Sequence, residues 1–259
     1  MTILDEIKAH KVQEVAAREA ARPLPELFRA VGEAPAVVRM RDALRQPGTQ
    51  LIAEVKRRSP AKGSLRLDAD APALAATYFD AGAAAVSVLT DEKFFSGADR
   101  DLEEVRTRTR GPLLRKDFTI SNYQVYEARS LGADAVLIIM SMLSDDAVAA
   151  FLDTVDRLGM DAILEVHNAD EVRRAVATRA PIIGINNRDL SNFTVDLGTT
   201  ERLVPLIPDS TVVISESGIS TRADVERVTA AGAKAVLVGE ALVTSGDPAA
   251  KVRELLGRS

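Results

Sequence analysis

The chain has 259 residues, 46% of them apolar but only 4% aromatic, with no cysteine, two histidines and a formal net charge of −5. Without cysteine there is neither a disulfide nor a thiolate metal site, and His10 and His167 are too few for a histidine cluster. The acidic balance speaks against a general nucleic-acid or anionic-membrane binder, and no run approaches the ~18 uncharged apolar residues that span a bilayer.

The opening MTILDEIKAHKVQEVAARE is charged throughout, unlike the apolar block of a secretory signal, so a cytoplasmic chain is expected. Ile3, Leu4 and Ile7, then Val12, Val15 and Ala16, fall on a loose three-to-four spacing, which predicts an amphipathic helix. Pro23 and Pro25 are expected to break it before a second helical stretch around Ala36–Leu44. Residues 1–47 therefore read as a helical extension, either a cover for the floor of the following domain or a cover for its substrate mouth.

Beyond it, one pattern recurs: a helix end, a glycine, then an apolar run. It appears in AGAAAVSVLT, LGADAVLIIM, LGMDAILEV and AGAKAVLVGE, with glycines at Gly82, Gly132, Gly159 and Gly232. The gaps of 50, 27 and 73 residues are close to two, one and three units of about 25, the length of a strand, a helix and two short loops. The period places strands at Gln50–Lys56, Ala84–Leu89, Pro112–Lys116, Asp134–Met140, Asp161–Val166, Ile182–Asn186, Val212–Glu216 and Lys234–Val238. Helices are expected between them, among others at Ala71–Ala81, Asn122–Leu131, Asp145–Leu158 and Thr221–Ala231. Continuous apolar runs suit strands covered on both faces. Eight such units predict a (β/α)₈ barrel over residues 48–259, forming one domain with the extension; an open doubly wound sheet is the rival architecture.

Several of these runs end in charge. Glu54 and Lys56 lie two apart and so project to the same side of the first strand. Lys116, Glu165, Asn186 and Glu216 end four others. Ionisable groups at the end of an apolar run are costly unless paired or used, and in a barrel these ends converge on one mouth. An ion pair closing the rim would explain any single one, but not six arriving from several strands. Ser217–Gly218 after the seventh strand and Gly239–Glu240 after the eighth suit a phosphate held by backbone N–H groups. Ser59, after the first strand, offers a hydroxyl to the same anion.

The segments IAEVKRRSPAKG, LTDEKFFSG, LLRKDF, LEVH, IGINNRDL, ISESGI and LVGEALV, in this order and over nearly the whole chain, resemble the indole-3-glycerol phosphate synthase family. The resemblance implies ring closure of 1-(2-carboxyphenylamino)-1-deoxyribulose 5-phosphate with loss of carbon dioxide and water, in tryptophan biosynthesis. It implies Lys116 as the general acid, its pKa expected to be lowered by an apolar wall and Lys56. Lys56 would neutralise the substrate carboxylate, with Glu54 holding it and stabilising positive charge on the substrate nitrogen. Glu165 would be the base of the dehydration, Asn186 would bind the sugar hydroxyls with Arg188 close by, and Glu216 and Ser217 would complete the pocket. Pro60, Phe95, Phe118, Leu137 and Leu190 are expected to form the slot for the anthranilate ring. His167 reads as a surface or outer histidine, and Ala61 stands where many members carry serine. Acids, bases and electrostatics suffice for these steps, so no cofactor or metal is expected, and the partner is a small phosphorylated substrate met by a monomer or weak homo-oligomer. The alternatives are a barrel like phosphoribosylanthranilate isomerase, whose family uses a cysteine that this chain lacks, and a non-catalytic phosphosugar-binding barrel.

Overall fold

The computed structural model describes residues 3–190 and 192–258. Its strands are β1 (Gln50–Val55), β2 (Ala85–Leu89), β3 (Leu113–Lys116), β4 (Ala135–Ile139), β5 (Asp161–Val166), β6 (Ile182–Asn186), β7 (Val212–Glu216) and β8 (Ala235–Val238). Each pairs in parallel with its neighbour in chain order, and β8 returns to β1 with Gln50 opposite Ala235 and Ile52 opposite Leu237. The sheet is thus a closed barrel rather than an open one, and every strand end lies within one residue of the position expected from the repeat. The four glycines that end helices before strands all adopt positive φ, from +70° at Gly159 to +113° at Gly232, a conformation that lets the chain turn directly into the next strand.

Side chains alternate between two cores. Leu51, Ala53, Val86, Val136 and Ile138 face outward into the layer shared with the helices. Ile52, Leu114, Ile163 and Ile214 belong to a second buried cluster inside the barrel. Each lies two residues before Glu54, Lys116, Glu165 or Glu216. The same strand face therefore carries an apolar residue in the lumen and then a charged one at the mouth.

The extension departs from expectation in its middle. Helix α1 runs from Ile3 to Ala21 and α2 from Leu24 to Glu33, where only a proline break was expected; α3 is confined to Met40–Leu44 rather than beginning at Ala36. Pro25 sits in the first turn of α2, where its missing N–H has no helical partner to lose. Met40 and Leu44 of α3 pack into the cluster inside the barrel. The Val38 N–H donates to Asp134 (2.8 Å) and the Arg41 N–H to Asp161 (3.0 Å), both at strand starts. This part closes the floor. No helix among the described residues is long and apolar enough to cross a membrane.

Candidate active site

A cavity of about 1160 Å³, counting its open mouth, occupies the carboxyl ends of the strands. All the residues singled out from the sequence for acid–base work, ring contact and phosphate contact line it. Ile3, Leu4 and Ile7 of α1 line it too, so the first turns of the extension lie at the mouth while its end lies at the floor.

The centre is Lys116, delivered by the last residue of β3. Its Nζ lies 3.3 Å from Glu216 Oε2, 3.8 Å from Glu54 Oε2 and 3.8 Å from Glu165 Oε2. Burial by itself would lower this lysine, but the three carboxylates outweigh it and hold the pKa well above the ordinary value. The expected lowering is therefore corrected: the sequence brings these acids to one mouth with Lys116, but does not show that all three come within 3.8 Å of its ammonium. Lys56, just past β1, instead pairs with Glu54 Oε1 at 2.8 Å. Burial pushes Glu54 up, yet Lys56 and Lys116 leave it below the usual carboxylate range.

The other two acids diverge. Burial would raise Glu165, but His167, Lys116 and the Asn186 amide together bring it down to about 2. Glu216 is pushed up to about 7, first by burial and then by Glu165 and Glu54, with Lys116 only partly offsetting them. Its Oε1 is buried with no hydrogen-bond partner among the described residues. Room for these groups comes from two glycines. A methyl group at Gly184 in β6 would overlap Glu216 Oε1, and one at Gly239 would overlap Glu54 Oε1.

His167 is not at the surface. Its side chain is 14% exposed, with Nε2 3.3 Å from Glu165 Oε1 and Nδ1 3.1 Å from Glu171. Sequence reasoning also missed Asp91 and Asp117, which line the cavity and enclose the fully buried Lys11 of α1 at 3.0 and 2.8 Å. The signal was available, since both follow strand ends within LTDEK and LLRKDF. Asp91 also caps the short helix Glu92–Phe95 by accepting from the Phe94 N–H. That helix presents Phe95 to Phe118, their rings 6.0 Å apart and tilted by 42°. Leu137, Leu190 and Pro60 line the same cavity.

At the anion end, Ser217 and Gly218 both have positive φ (+67° and +82°), a tight turn directly after β7 at the wall of the cavity. Gly239 caps the short helix Glu240–Val243, and Ser59 lies in a small hairpin, its hydroxyl accepting from the Lys62 N–H. The Glu240 carboxylate faces Lys62 at 3.6 Å. Asn186 accepts from the Arg188 N–H, and the Arg188 side chain donates to Phe193 O.

Fold and cavity define a (β/α)₈ barrel with a dense acid–base centre at the carboxyl ends of its strands. The family model for indole-3-glycerol phosphate synthase matches residues 4–255. The indole-3-glycerol phosphate synthase of Rhodococcus opacus (strain B4) is 45% identical over 256 residues, covering 99% of this chain and 95% of that protein. That of Mycobacterium avium (strain 104) is 45% identical over 255 residues, covering 98% and 94%. The chain belongs to the indole-3-glycerol phosphate synthase family. Among solved structures, a thiamine phosphate pyrophosphorylase from Pyrococcus furiosus superposes with a TM-score of 0.62 at 16% identity, over 83% of this chain and 95% of that one. An N-acetylmannosamine-6-phosphate 2-epimerase from Clostridium perfringens gives 0.59 at 17%, over 78% and 90%. At such identities the likeness concerns the fold alone.

Proposed function

We propose that the chain performs its family's reaction, closing the indole ring of 1-(2-carboxyphenylamino)-1-deoxyribulose 5-phosphate with loss of carbon dioxide and water, by the following division of labour. The observation that carries it is one buried ammonium facing three carboxylates from three other strands within a single cavity. Lys116 starts with its proton in place. A lysine held high is a weak acid, but the ketone oxygen becomes an alkoxide as the ring carbon attacks. An alkoxide is a stronger base than any amine, so the transfer becomes favourable as the bond forms. Once Lys116 has given up its charge, Glu165 loses a cation 3.8 Å away and becomes more basic. The same event that closes the ring thereby prepares the base for the dehydration.

Lys56 neutralises the substrate carboxylate until it leaves as carbon dioxide, and Glu54 holds Lys56 and stabilises positive charge on the nitrogen. Asn186 and Arg188 take the sugar hydroxyls, and Glu216 closes the pocket. The tilted pair Phe95 and Phe118, with Pro60, Leu137 and Leu190, sandwiches the anthranilate ring. The phosphate lies against the backbone of Ser217, Gly218, Gly239 and Glu240 with the Ser59 hydroxyl. The Glu240 side chain turns to Lys62 rather than to the anion. These steps call on acids, bases and electrostatics alone. We place the enzyme in the cytoplasm as a single barrel domain with its extension, acting as a monomer or weak homo-oligomer.

The chain has no tryptophan, so indole product is read directly by its emission over a dark protein background. Purified protein given the substrate should produce a rising indole signal with release of carbon dioxide. No rise at saturating substrate would overturn the assignment.

A further inference from the structure

Glu165 faces a basic side chain on each side, in ion-pair contact with both. Its Oε2 faces Lys116 inside the cavity, and its Oε1 faces His167, which does not line that cavity. His167 is in turn fixed by Glu171, the first-turn acid of the helix Ala169–Ala177. The imidazole Nδ1 lies 3.1 Å and the His167 N–H 2.8 Å from the same carboxylate oxygen, Oε2. The other oxygen, Oε1, accepts from Asn168 Nδ2 at 2.6 Å. Glu171 is itself buried, and with His167 and Asn168 it forms part of the wall of a second, open cleft. An acid–imidazole–acid chain thus runs through the barrel wall behind the base. Nothing in the ring closure itself requires it.

We propose that His167, held by Glu171, is a positioning residue that keeps Glu165 ionised and aimed into the active cavity. The inference rests on the reading of Glu165 as the base. An imidazole between two carboxylates is driven to its charged form, and here burial, which would lower it, is outweighed by Glu165 and Glu171, which raise it to about 10. The groups facing Glu165 are His167 behind it, Lys116 from β3, Asn186 from β6, and the acids Glu54 and Glu216 from β1 and β7, of which Glu216 is charged only above about 7. Two cations therefore oppose two acids and burial. Because Lys116 surrenders its charge during turnover, His167 is the cation that remains when Glu165 must act. Without it, burial and the two acids would raise Glu165 into the working pH range.

The test is the pH dependence of the dehydration step, followed in single turnovers as decay of the ring-closed intermediate. In wild type the rate should change little between pH 8 and 5 beyond the titration of Glu216 near 7. In His167→Gln it should fall at least tenfold over that range while remaining near the wild-type rate at pH 8, and KM should barely move. A uniform loss at every pH, or a flat profile, would overturn the proposal, since a merely structural histidine would show one of those. Glu171→Gln keeps the imidazole in place and guards against a folding defect. His167 should then titrate at least one pH unit lower by NMR, where the only other histidine is His10, and a weaker acid-side fall should appear. An unmoved titration would equally overturn it. Glu165→Gln separates the two readings: a wild-type dehydration rate in that variant would remove the base itself, whereas a slow Glu165→Gln beside a flat His167→Gln would remove only the role of His167.

Discussion

The two ends of the barrel both bury carboxylates at strand ends, to opposite effect. At the floor, Asp134 accepts from the Val38 and Leu113 N–H groups and from Arg106, and Asp161 meets the Arg41 N–H with the Arg39 and Arg41 side chains beside it. Each acid there has its own donors, and the charge is absorbed into holding α3 against the strands. At the mouth, three carboxylates share Lys116, and Glu216 keeps one buried oxygen with no partner. Burying charge opposes folding at both ends: burial holds Asp134 above its ordinary value despite its donors, as it holds Glu216 at the mouth. The difference separates acids that hold the fold from acids kept available for a substrate.

The comparison can be broken at its strongest point by Lys116→Met. Losing the shared cation and proton donor should cost about 10³-fold in kcat, within the usual range for a general acid, while phosphate-anchored binding persists. Indole emission for rate and calorimetric titration for binding check this, and undiminished turnover would remove Lys116 from the mechanism. Asp134→Asn should act only on the fold. Unfolding should become easier by about 3 kcal/mol, since buried N–H donors and Arg106 lose an ionised acceptor, while kcat per folded molecule stays within twofold; chemical denaturation with a parallel assay measures both. Glu216→Gln should act with the opposite sign. In the native state Glu216 titrates near 7 instead of its ordinary 4.5, so the folded chain retains a proton that the unfolded chain has lost. Its contribution to stability therefore falls as pH rises from about 4.5 through 7. Relative to wild type, the glutamine variant should gain about 3 kcal/mol between pH 4 and pH 8. Thermal melts across that range decide it. A gain that does not grow with pH would mean that Glu216 is ionised like its neighbours.

Much of this was legible because the period of the chain is local. Apolar runs such as AVLII and glycines with positive φ mark strand and turn within a few residues of each other, which is why the strand ends were found so closely. The convergence of Glu54, Lys116, Glu165 and Glu216 was legible for the same reason: strand ends in a barrel have one place to go. Helix α2 was not, because Pro23 and Pro25 look like breakers until one of them is seen in the first turn. The protonation of Lys116 and the pairing of His167 with two acids were not legible either. Both are set by residues from other elements, three acids in one case and Glu171 in the other, at distances that no sequence spacing expresses. Lys11 shares the buried stripe of α1 with Ile7 and Val15, but its pairing with Asp91 and Asp117, which come from other elements, was hidden likewise.

Gly184 interrupts the apolar run IIGIN where a valine or isoleucine would suit the strand better, and Gly239 stands where β8 gives way to its short helix. Their contribution is vacancy. A barrel lumen is narrow enough that an inward acid can stand upright only opposite a position with nothing to offer, so a blank on one strand is the imprint of a functional group on the next. Such blanks give a reader of bare sequence a second kind of mark to search for, complementary to misplaced charge.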